Sequence, residues 1–371
     1  MHVIAGSAAL FNGTEFVTEP WLAIEDGVIA DLGQGEPPSR PEVEFEGWLL
    51  PGFVDVHVHG GGGGAFTDRE GSLIAREYLA RHGTTTFYAS IISDSTDVMV
   101  RQILELLPLI DEGLVAGIHL EGPFLSRRRG GAHDPAALRD PDPSALESLL
   151  AATGGRPAMI TLAPELNGGL SAIARCREAG LLVAIGHSNA DAAVAKAALD
   201  AGARVVTHLF NAMTPVHHRD PGIVEVSLMD ERATVELILD GQHLSEITAE
   251  LAVRCAAGRW ISVSDSVYVA GLPDGRYLLG GQAIELVDNC ARVTATGALA
   301  GSTSTQAAAL AFLTNRLGMP MHEAVPGVTS RPANLIGRQD VGTLSKGSQA
   351  DMVLWRDAAV SRVMRSGQWL L

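Results

Sequence analysis

Short apolar runs alternate with helix-like segments along most of this chain. The runs are typical of buried strands, and they cover residues 53–59, 84–89, 115–121, 158–163, 181–187, 205–209, 234–239 and 260–265. The segments between them have helical composition, and several end at a glycine, as with Gly83, Gly180 and Gly202. This alternation predicts an α/β protein, a (β/α)8 barrel of the TIM type over residues 51–341. An open doubly wound sheet is the alternative, but no Gly-x-Gly-x-x-Gly segment opens a helix to support it.

Both ends of the chain have a strand pattern instead. Residues 21–32 contain two apolar stretches around Asp26-Gly27, which predicts a hairpin. The tail returns to strand pattern at 350–355 and 360–364. We therefore predict that residues 1–50 and 342–371 form a small β-sandwich domain. A hairpin-rich insertion at 277–293 and helices at 303–317 and 322–335 are expected before the tail.

Composition excludes several classes of protein. The chain has 371 residues, of which 46% are hydrophobic, enough for a large core. Its net charge of -16 disfavours nucleic acid and anionic membranes as partners, although a locally basic pocket could still bind a small anion. Cys176, Cys255 and Cys290 are widely spaced and odd in number, which favours free thiols in the cytoplasm. We find neither a signal peptide in residues 1–13 nor an apolar run long enough to span a membrane.

Histidines and carboxylates recur where the predicted strands end. These residues are His57, His59, Glu121, His187, His208 and Asp265. The carboxyl ends of barrel strands meet on one face, so we expect these side chains to form one site. Imidazole and carboxylate ligands suit a divalent Zn, Fe, Mn or Co ion, which can activate water. Asp265 is the candidate to take the proton from that water.

The motifs around these residues resemble a known family. Pro51-Gly-Phe-Val-Asp-Val-His-Val-His-Gly60 is similar to the first-strand motif of the amidohydrolase superfamily. Further blocks narrow the resemblance to the N-acetylglucosamine-6-phosphate deacetylases, and it spans nearly the whole chain. These blocks are His119-Leu-Glu-Gly-Pro-Phe124, Gly131-Ala-His133, Ala163-Pro-Glu165, Gly186-His-Ser188, Thr207-His-Leu-Phe-Asn-Ala-Met213 and Asp240-Gly-Gln-His243.

The resemblance implies a role for each matching residue. Glu121, His187 and His208 would bind the main metal ion, while His57 and His59 would supply a second site that only some members occupy. Asp265 matches the acid/base. His133 matches a residue that would polarise the acetyl carbonyl, and Asn211 and the Ala212 amide match contacts to the sugar phosphate. Arg219 and His243 match residues that a neighbouring subunit contributes to bind the phosphate. One or two ions per chain and a homodimer are therefore expected.

The lysines agree with this ligand set. Many binuclear relatives bridge their ions with a carboxylated lysine at a strand end. Lys196 and Lys346 are the two lysines of this chain, and they lie in a predicted helix and in the tail. A glutamate must therefore be the bridge, and Glu121 fits that role.

The implied reaction is hydrolysis of N-acetylglucosamine-6-phosphate to glucosamine-6-phosphate and acetate. The alternatives are the galactosamine epimer or another N-acyl sugar phosphate, a dihydroorotase-type cyclic amidohydrolase, and a non-catalytic sugar-phosphate binder. Around the acid/base, Ser264-Asp265-Ser266-Val267 replaces the family's usual Thr-Asp-Ala-Met. The acyl group and the sugar epimer of the substrate therefore remain open. The run at 127–129 could attract the phosphate, but three consecutive arginines are typical of a solvated loop.

Overall fold

A computed structural model describes residues 2–6, 9–12 and 15–370 of the chain. The described residues divide into two compact units, one within 1–55, 77–87 and 305–371 and the other within 56–76 and 88–304. Positions 1, 7–8, 13–14 and 371 of the predicted terminal domain lie outside the described residues.

The predicted barrel is confirmed by an eight-stranded parallel sheet whose strands follow chain order. Its strands are Phe53–Val58, Thr84–Ile92, Gly117–Glu121, Ala158–Leu162, Leu182–Ile185, Val205–Val206, Thr234–Ile238 and Trp260–Val263. We call them barrel strands 1 to 8. The chain segments after strands 8 and 1 meet, because the N–H of Asp265 donates to the carbonyl of His57 at 2.9 Å and the N–H of His59 to that of Ser266 at 2.8 Å.

Helices follow most of the barrel strands. They are Arg69–Arg81, Thr96–Asp111, Pro143–Thr153, Gly169–Glu178, Ala192–Ala201, Ile223–Met229 and Glu246–Cys255. Local chemistry sets their starts: the Asp191 carboxylate accepts from the Val194 N–H, and the Ser245 hydroxyl from the Thr248 N–H. The glycines predicted to end helices, Gly83, Gly180 and Gly202, all have positive φ, which side-chain-bearing residues adopt less readily.

Three predicted strands extend two or three residues too far along the sequence. Barrel strands 5, 6 and 8 end at Ile185, Val206 and Val263, so the predicted site residues of those strands lie in the following loops. The backbone explains the difference, since His187, His208 and Asp265 have φ of 47°, 30° and 49°, outside the β region. Non-glycine residues with such angles are often found at functional sites.

Strands from both ends of the chain form two sheets, as expected for a terminal β-sandwich. One sheet has the order Val28–Gln34, Pro20–Glu25, His2–Gly6 and Val43–Phe45. The other has the order Gln368–Leu370, Ala359–Arg365, Met352–Arg356, Trp48–Pro51, Ala9–Phe11 and Phe16–Thr18. The predicted hairpin turn is confirmed, because Asp26 and Gly27 have φ of 50° and 78°.

The two terminal sheets share one apolar core. Ile4, Leu22 and Ile29 contribute from the first sheet, and Leu49 and Met352 from the second. Burying these side chains removes apolar surface from water and holds the sheets face to face. The exact limits 1–50, 342–371 and 51–341 remain predictions.

The predicted insertion forms a three-stranded antiparallel sheet of Gly275–Leu279, Gln282–Val287 and Cys290–Val293. Its inner face packs with Val267 and Val269, which follow barrel strand 8. The later helices are Gln306–Ala311, the π-helix Phe312–Arg316, Met321–Val328 and Ser330–Leu335. Within the described ranges, none of the helices combines the length and apolar character needed to cross a bilayer.

Candidate metal centre and substrate cavity

Glu121 lies at the centre of the predicted site. It is the last residue of barrel strand 3 and is only 4% exposed. Its Oε1 lies 3.1 Å from His187 Nε2, and its Oε2 lies 3.2 Å from His59 Nε2. The carboxylate thus lies between two groups of histidines, although its Oε1 is also 3.5 Å from His57 Nε2 of the second group.

The first group consists of His187 and His208. Their Nε2 atoms are 3.0 Å apart, and His208 Nε2 is 3.2 Å from Glu121 Oε1. The Nδ1 of His187 lies 2.7 Å from the Arg129 carbonyl. Because a carbonyl only accepts, Nδ1 carries the proton and the Nε2 lone pair points inward.

The second group consists of His57, His59 and Asp265. Asp265 Oδ1 lies 3.4 Å from His57 Nε2 and 3.3 Å from His59 Nε2. On the other side of its ring, His57 Nδ1 is 3.0 Å from Oε2 of Glu236. These side chains are all nearly buried, so their charges interact with little screening by water.

The electrostatics of the site favour positive charge. Burial lowers the pKa of His59, but hydrogen bonds to Asp265 and Glu121 outweigh it and raise that pKa to about 9. Burial likewise opposes the His57 cation, yet Asp265 and Glu121 raise the pKa of His57 well above its usual value. In the absence of metal, therefore, the carboxylates hold protons on the imidazoles that would otherwise face a cation.

His133 lies against the same glutamate. Its Nε2 is 3.2 Å from Glu121 Oε2, and its Nδ1 is buried without a hydrogen-bond partner among the described residues. Burial outweighs the charge of Glu121 and lowers the pKa of His133, which favours the neutral ring. A neutral imidazole can donate one hydrogen bond to a substrate oxygen.

His119 shares the strand of Glu121 but has no free ring nitrogen. Its Nδ1 is 2.9 Å from the Ser90 hydroxyl, and its Nε2 is 2.8 Å from that of Thr161. Burial and the charge of His57 lower the pKa of His119 well below its usual value. His119 therefore belongs to the hydrogen-bonded barrel interior below the metal-ligand set.

Two groups of side chains could hold a divalent metal ion. Within the described ranges, the ligand atoms of His57, His59 and Asp265 lie within 4.8 Å of one another, as do those of Glu121, His133 and His187. Imidazole nitrogens and carboxylate oxygens in this combination bind borderline divalent ions. The inward lone pair of His187 adds to this fit.

A cavity of about 350 Å³ opens above these groups. His59, His133, His187 and Asp265 line it from below, and Asn211 and Ala212 also line it. His243, which was predicted to contact the phosphate from a neighbouring subunit, lines the cavity of its own chain instead. The apolar part of the wall consists of Ile92, Ala132, Ile238, Val267, Leu279, Ala298 and Leu299. A polar, metal-ligating floor beneath a partly apolar wall is typical of a small-molecule site.

The arginine run at 127–129 and Arg219 were considered for the phosphate. Arg128 and Arg129 line the cavity, and Arg128 is exposed, which agrees with a solvated loop at the cavity mouth. Arg219 is exposed, contacts His218 at 2.8 Å and does not line the cavity. This position is compatible with a contact made to a neighbouring subunit, and that role stays a prediction.

Sequence reasoning did not single out Glu236. It is fully buried on barrel strand 7, where its neighbours Val235 and Leu237 are apolar. A charged residue inside an apolar strand was the available signal, because buried carboxylates are almost always paired. The partner, His57, lies on another strand and could not be identified from spacing.

Known proteins are similar to this chain over most of its length. The amidohydrolase family model matches residues 48–370. The N-acetylglucosamine-6-phosphate deacetylase of Bos taurus is 36% identical over 84% of this chain and 80% of its own length. The N-acetylgalactosamine-6-phosphate deacetylase of Escherichia coli O157:H7 is 34% identical over 90% of this chain and 89% of its own length.

A solved structure is similar over almost the whole chain. It is a variant of the N-acetyl-D-glucosamine-6-phosphate deacetylase of Mycobacterium smegmatis in complex with N-acetyl-D-glucosamine-6-phosphate. The TM-score is 0.96 at 37% identity, with 99% of this chain and 98% of that chain covered.

Proposed function

The chain belongs to the amidohydrolase family, and we propose that it hydrolyses N-acetylglucosamine-6-phosphate to glucosamine-6-phosphate and acetate. The observation that carries this proposal is the position of Glu121, with its oxygens 3.1 Å from His187 and 3.2 Å from His59, at the floor of the cavity. The similarity to deacetylases of N-acetyl hexosamine phosphates supports the same substrate class.

Glu121, His187 and His208 would hold the main divalent ion, and His57 and His59 a second one. When bound, such an ion polarises a carbonyl group and lowers the pKa of water toward about 7. We propose Zn, Fe, Mn or Co, with one or two ions per chain, on the basis of the donor atoms. Glu121 would bridge the two positions, since its oxygens face both groups of histidines.

Asp265 would move the proton. Burial raises the pKa of Asp265, but the charge of His57 together with the hydrogen bond and charge of His59 outweighs burial and lowers that pKa. The ionised carboxylate would accept a proton as water adds to the acetyl carbon. It would then deliver that proton to the nitrogen as the C–N bond breaks, so that acetate and the free amine leave.

His133 and the cavity wall would orient the substrate. His133 would donate to the acetyl oxygen, where negative charge develops. Asn211 and the Ala212 amide would contact the sugar phosphate, and both residues line the cavity. His243, whose Nδ1 is fixed by Asp240 at 2.7 Å, and Arg219 of a second copy would bind the phosphate. The active form would therefore be a homodimer.

The state of the three cysteines supports a location in a reducing compartment. Cys176, Cys255 and Cys290 are all free thiols. Secreted proteins commonly use cysteines in disulfides, so we propose that this enzyme works in the cytoplasm.

Replacement of the acid/base tests the mechanism. Asn tolerates the positive φ of Asp265, so Asp265→Asn removes the proton acceptor without adding backbone strain. We expect acetate release from N-acetylglucosamine-6-phosphate to fall by about 100- to 10,000-fold. Asp111→Asn, at an exposed carboxylate paired with Arg156, is the control and should retain normal activity. An Asp265→Asn enzyme with normal turnover would refute the mechanism.

The galactosamine epimer is the second candidate, favoured by the similarity to the Escherichia coli enzyme. The kcat/KM ratio between the two phosphorylated epimers distinguishes these substrates. Comparison with unphosphorylated N-acetylglucosamine then tests the phosphate contacts, because loss of a binding charge lowers kcat/KM.

A further inference from the structure

Glu236 is a buried carboxylate that the proposed mechanism does not use. It has no exposed surface, and it lies in the middle of barrel strand 7. Removing a carboxylate from water costs several kcal/mol unless hydrogen bonds compensate, which is a general property of buried charges. Its position therefore requires strong partners.

Those partners belong to the metal-ligand set. Glu236 Oε2 lies 3.0 Å from Nδ1 of His57 and 3.2 Å from the backbone N–H of His208. The other oxygen, Oε1, is buried and makes no hydrogen bond to any described residue. The carboxylate is therefore directed at the back of the His57 ring.

The contact determines which nitrogen of His57 can bind an ion. A neutral imidazole carries one N–H, and an acceptor at Nδ1 keeps the proton there. The Nε2 lone pair then points to the front of the ring, where Glu121 Oε1 and Asp265 Oδ1 lie at 3.5 Å and 3.4 Å. Without the acceptor, the proton could occupy Nε2 and block the ligand atom.

The ring orientations of His187 and His208 do not depend on the Glu236 carboxylate. His187 donates from Nδ1 to the Arg129 carbonyl at 2.7 Å. Glu236 contacts His208 only through the backbone N–H, so it does not select the ring nitrogen of that residue. Loss of the Glu236 carboxylate should therefore affect the two halves unequally.

We propose that Glu236 is the positioning residue for the metal position formed by His57 and His59. This inference rests on the proposed metal-dependent function. Glu236 keeps His57 in the tautomer whose Nε2 can bind a metal ion, so binding at the position formed by His57 and His59 depends on Glu236. Binding at the position formed by Glu121, His187 and His208 does not depend on Glu236. Outer-shell partners of metal-ligating histidines typically change metal affinity by about 10- to 100-fold.

Metal content provides the test. The metal content of protein purified without chelator is measured by elemental mass spectrometry. The bound metal is then removed, and the protein is titrated with Zn²⁺ by calorimetry. We expect two ions per wild-type chain. In Glu236→Leu, which keeps the volume but removes the acceptor, the weaker ion should bind about 10- to 100-fold less tightly and the tighter ion within about threefold of wild type.

Conservative and control variants separate positioning from general destabilisation. Glu236→Gln retains an oxygen that can accept from Nδ1 and should recover most of the lost affinity. Asp351→Asn removes another buried carboxylate, which accepts from the Ser366 N–H, and should retain both ions. In His57→Ala, adding Glu236→Leu should cause no further loss of the weaker ion, because the two residues act as one unit.

Several results would overturn the inference. Two ions with unchanged affinities in Glu236→Leu would do so, as would equal weakening of both ions. If Glu236→Leu does not fold, a Glu236→Gln protein with both affinities reduced equally contradicts the proposal. One ion per wild-type chain also refutes it but leaves the deacetylase function intact if acetate is released. If the wild-type enzyme releases no acetate but Glu236→Leu still loses the weaker ion selectively, the proposed function is rejected and the inference about Glu236 is retained.

Discussion

Cys176 and Cys255 carry the same thiol in opposite environments. Cys176 is buried on helix Gly169–Glu178, and burial raises its pKa to about 12. Cys255 is exposed at the end of helix Glu246–Cys255. The thiolate is the reactive form, so burial and pKa both protect Cys176.

Thiol labelling checks this difference. At pH 8, far below the pKa of Cys176, we expect a disulfide reagent to modify Cys255 rapidly and Cys176 only after denaturation. In a Cys290→Ser background, which removes the half-buried third thiol, Cys255→Ser should remove the fast phase and so assign it. Rapid modification of Cys176 in the native protein would contradict the burial of helix Gly169–Glu178.

The site residues show how much of the chemistry can be predicted from individual positions in the sequence. The structure brings together the six residues predicted from strand ends, which are His57, His59, Glu121, His187, His208 and Asp265. Glu236 was not predicted as a site residue, and the arginine run at 127–129 was weighed for the phosphate but interpreted as a solvated loop. The positions of Glu236 and Arg128 depend on neighbours from other strands or loops, so local sequence could not place them.

At the scale of elements, the glycine run after barrel strand 1 allows backbone segments to approach closely. Gly60–Gly61 pairs with Gly64–Ala65, and the start of helix Arg69–Arg81 packs against this pair. A Cβ on Gly64 would lie 2.3 Å from the Gly71 carbonyl oxygen and 2.6 Å from the Ala75 nitrogen. Both neighbours are backbone atoms, which cannot move aside easily.

Substitution of Gly64 tests this packing. Gly64→Ala should destabilise the protein by about 1–3 kcal/mol, as overpacking usually does, measured by denaturant unfolding. Gly275→Ala is the matched control, because its Cβ would meet only Tyr277 at an ordinary 3.5 Å. Equal stability of the two variants would show that the glycine run is not required for close packing.

The barrel strands and helices were predictable as elements, whereas their ends were less so. Helix Arg69–Arg81 lies between the predicted strands at 53–59 and 84–89 and ends just before Gly83, which was predicted to end a helix. Predicted strands 5, 6 and 8 continued into the site loops. The positive φ values of His187, His208 and Asp265 end the strands there, and sequence periodicity does not encode them.

At the scale of the whole molecule, the proposed homodimer depends on Arg219. Its side chain is exposed and does not line the cavity of its own chain, so a phosphate contact requires a second copy. The net charge of -16 makes a local cation valuable, since the overall field repels an anionic substrate.

Mixing two damaged enzymes tests the shared site. Asp265→Asn lacks the acid/base, and Arg219→Ala lacks the phosphate contact that each chain would offer its partner. In mixed dimers, the site of the Arg219→Ala chain receives an intact arginine. After subunit exchange, activity at low substrate should recover to about a quarter of wild type, as random pairing in a symmetric dimer requires.

The control for this experiment is a mixture of Asp265→Asn with Asp111→Asn chains, whose activity should follow the proportion of Asp111→Asn chains. Arg219→Ala alone should raise KM more than it lowers kcat, since a uniform binding contact is lost. If mixing gives no recovery, Arg219 does not act across subunits. Light scattering checks the dimer independently.

The sequence by itself determined the repeating strand and helix pattern, the β-rich ends and the histidines and carboxylates that are candidate metal ligands. Those features are encoded locally, by apolar periodicity, turn residues and residues that follow a strand. Only the tertiary structure decided which side chains meet. Glu121 faces both histidine groups, Arg128 reaches the cavity and Glu236 contacts His57 because barrel closure brings distant strands within hydrogen-bonding distance.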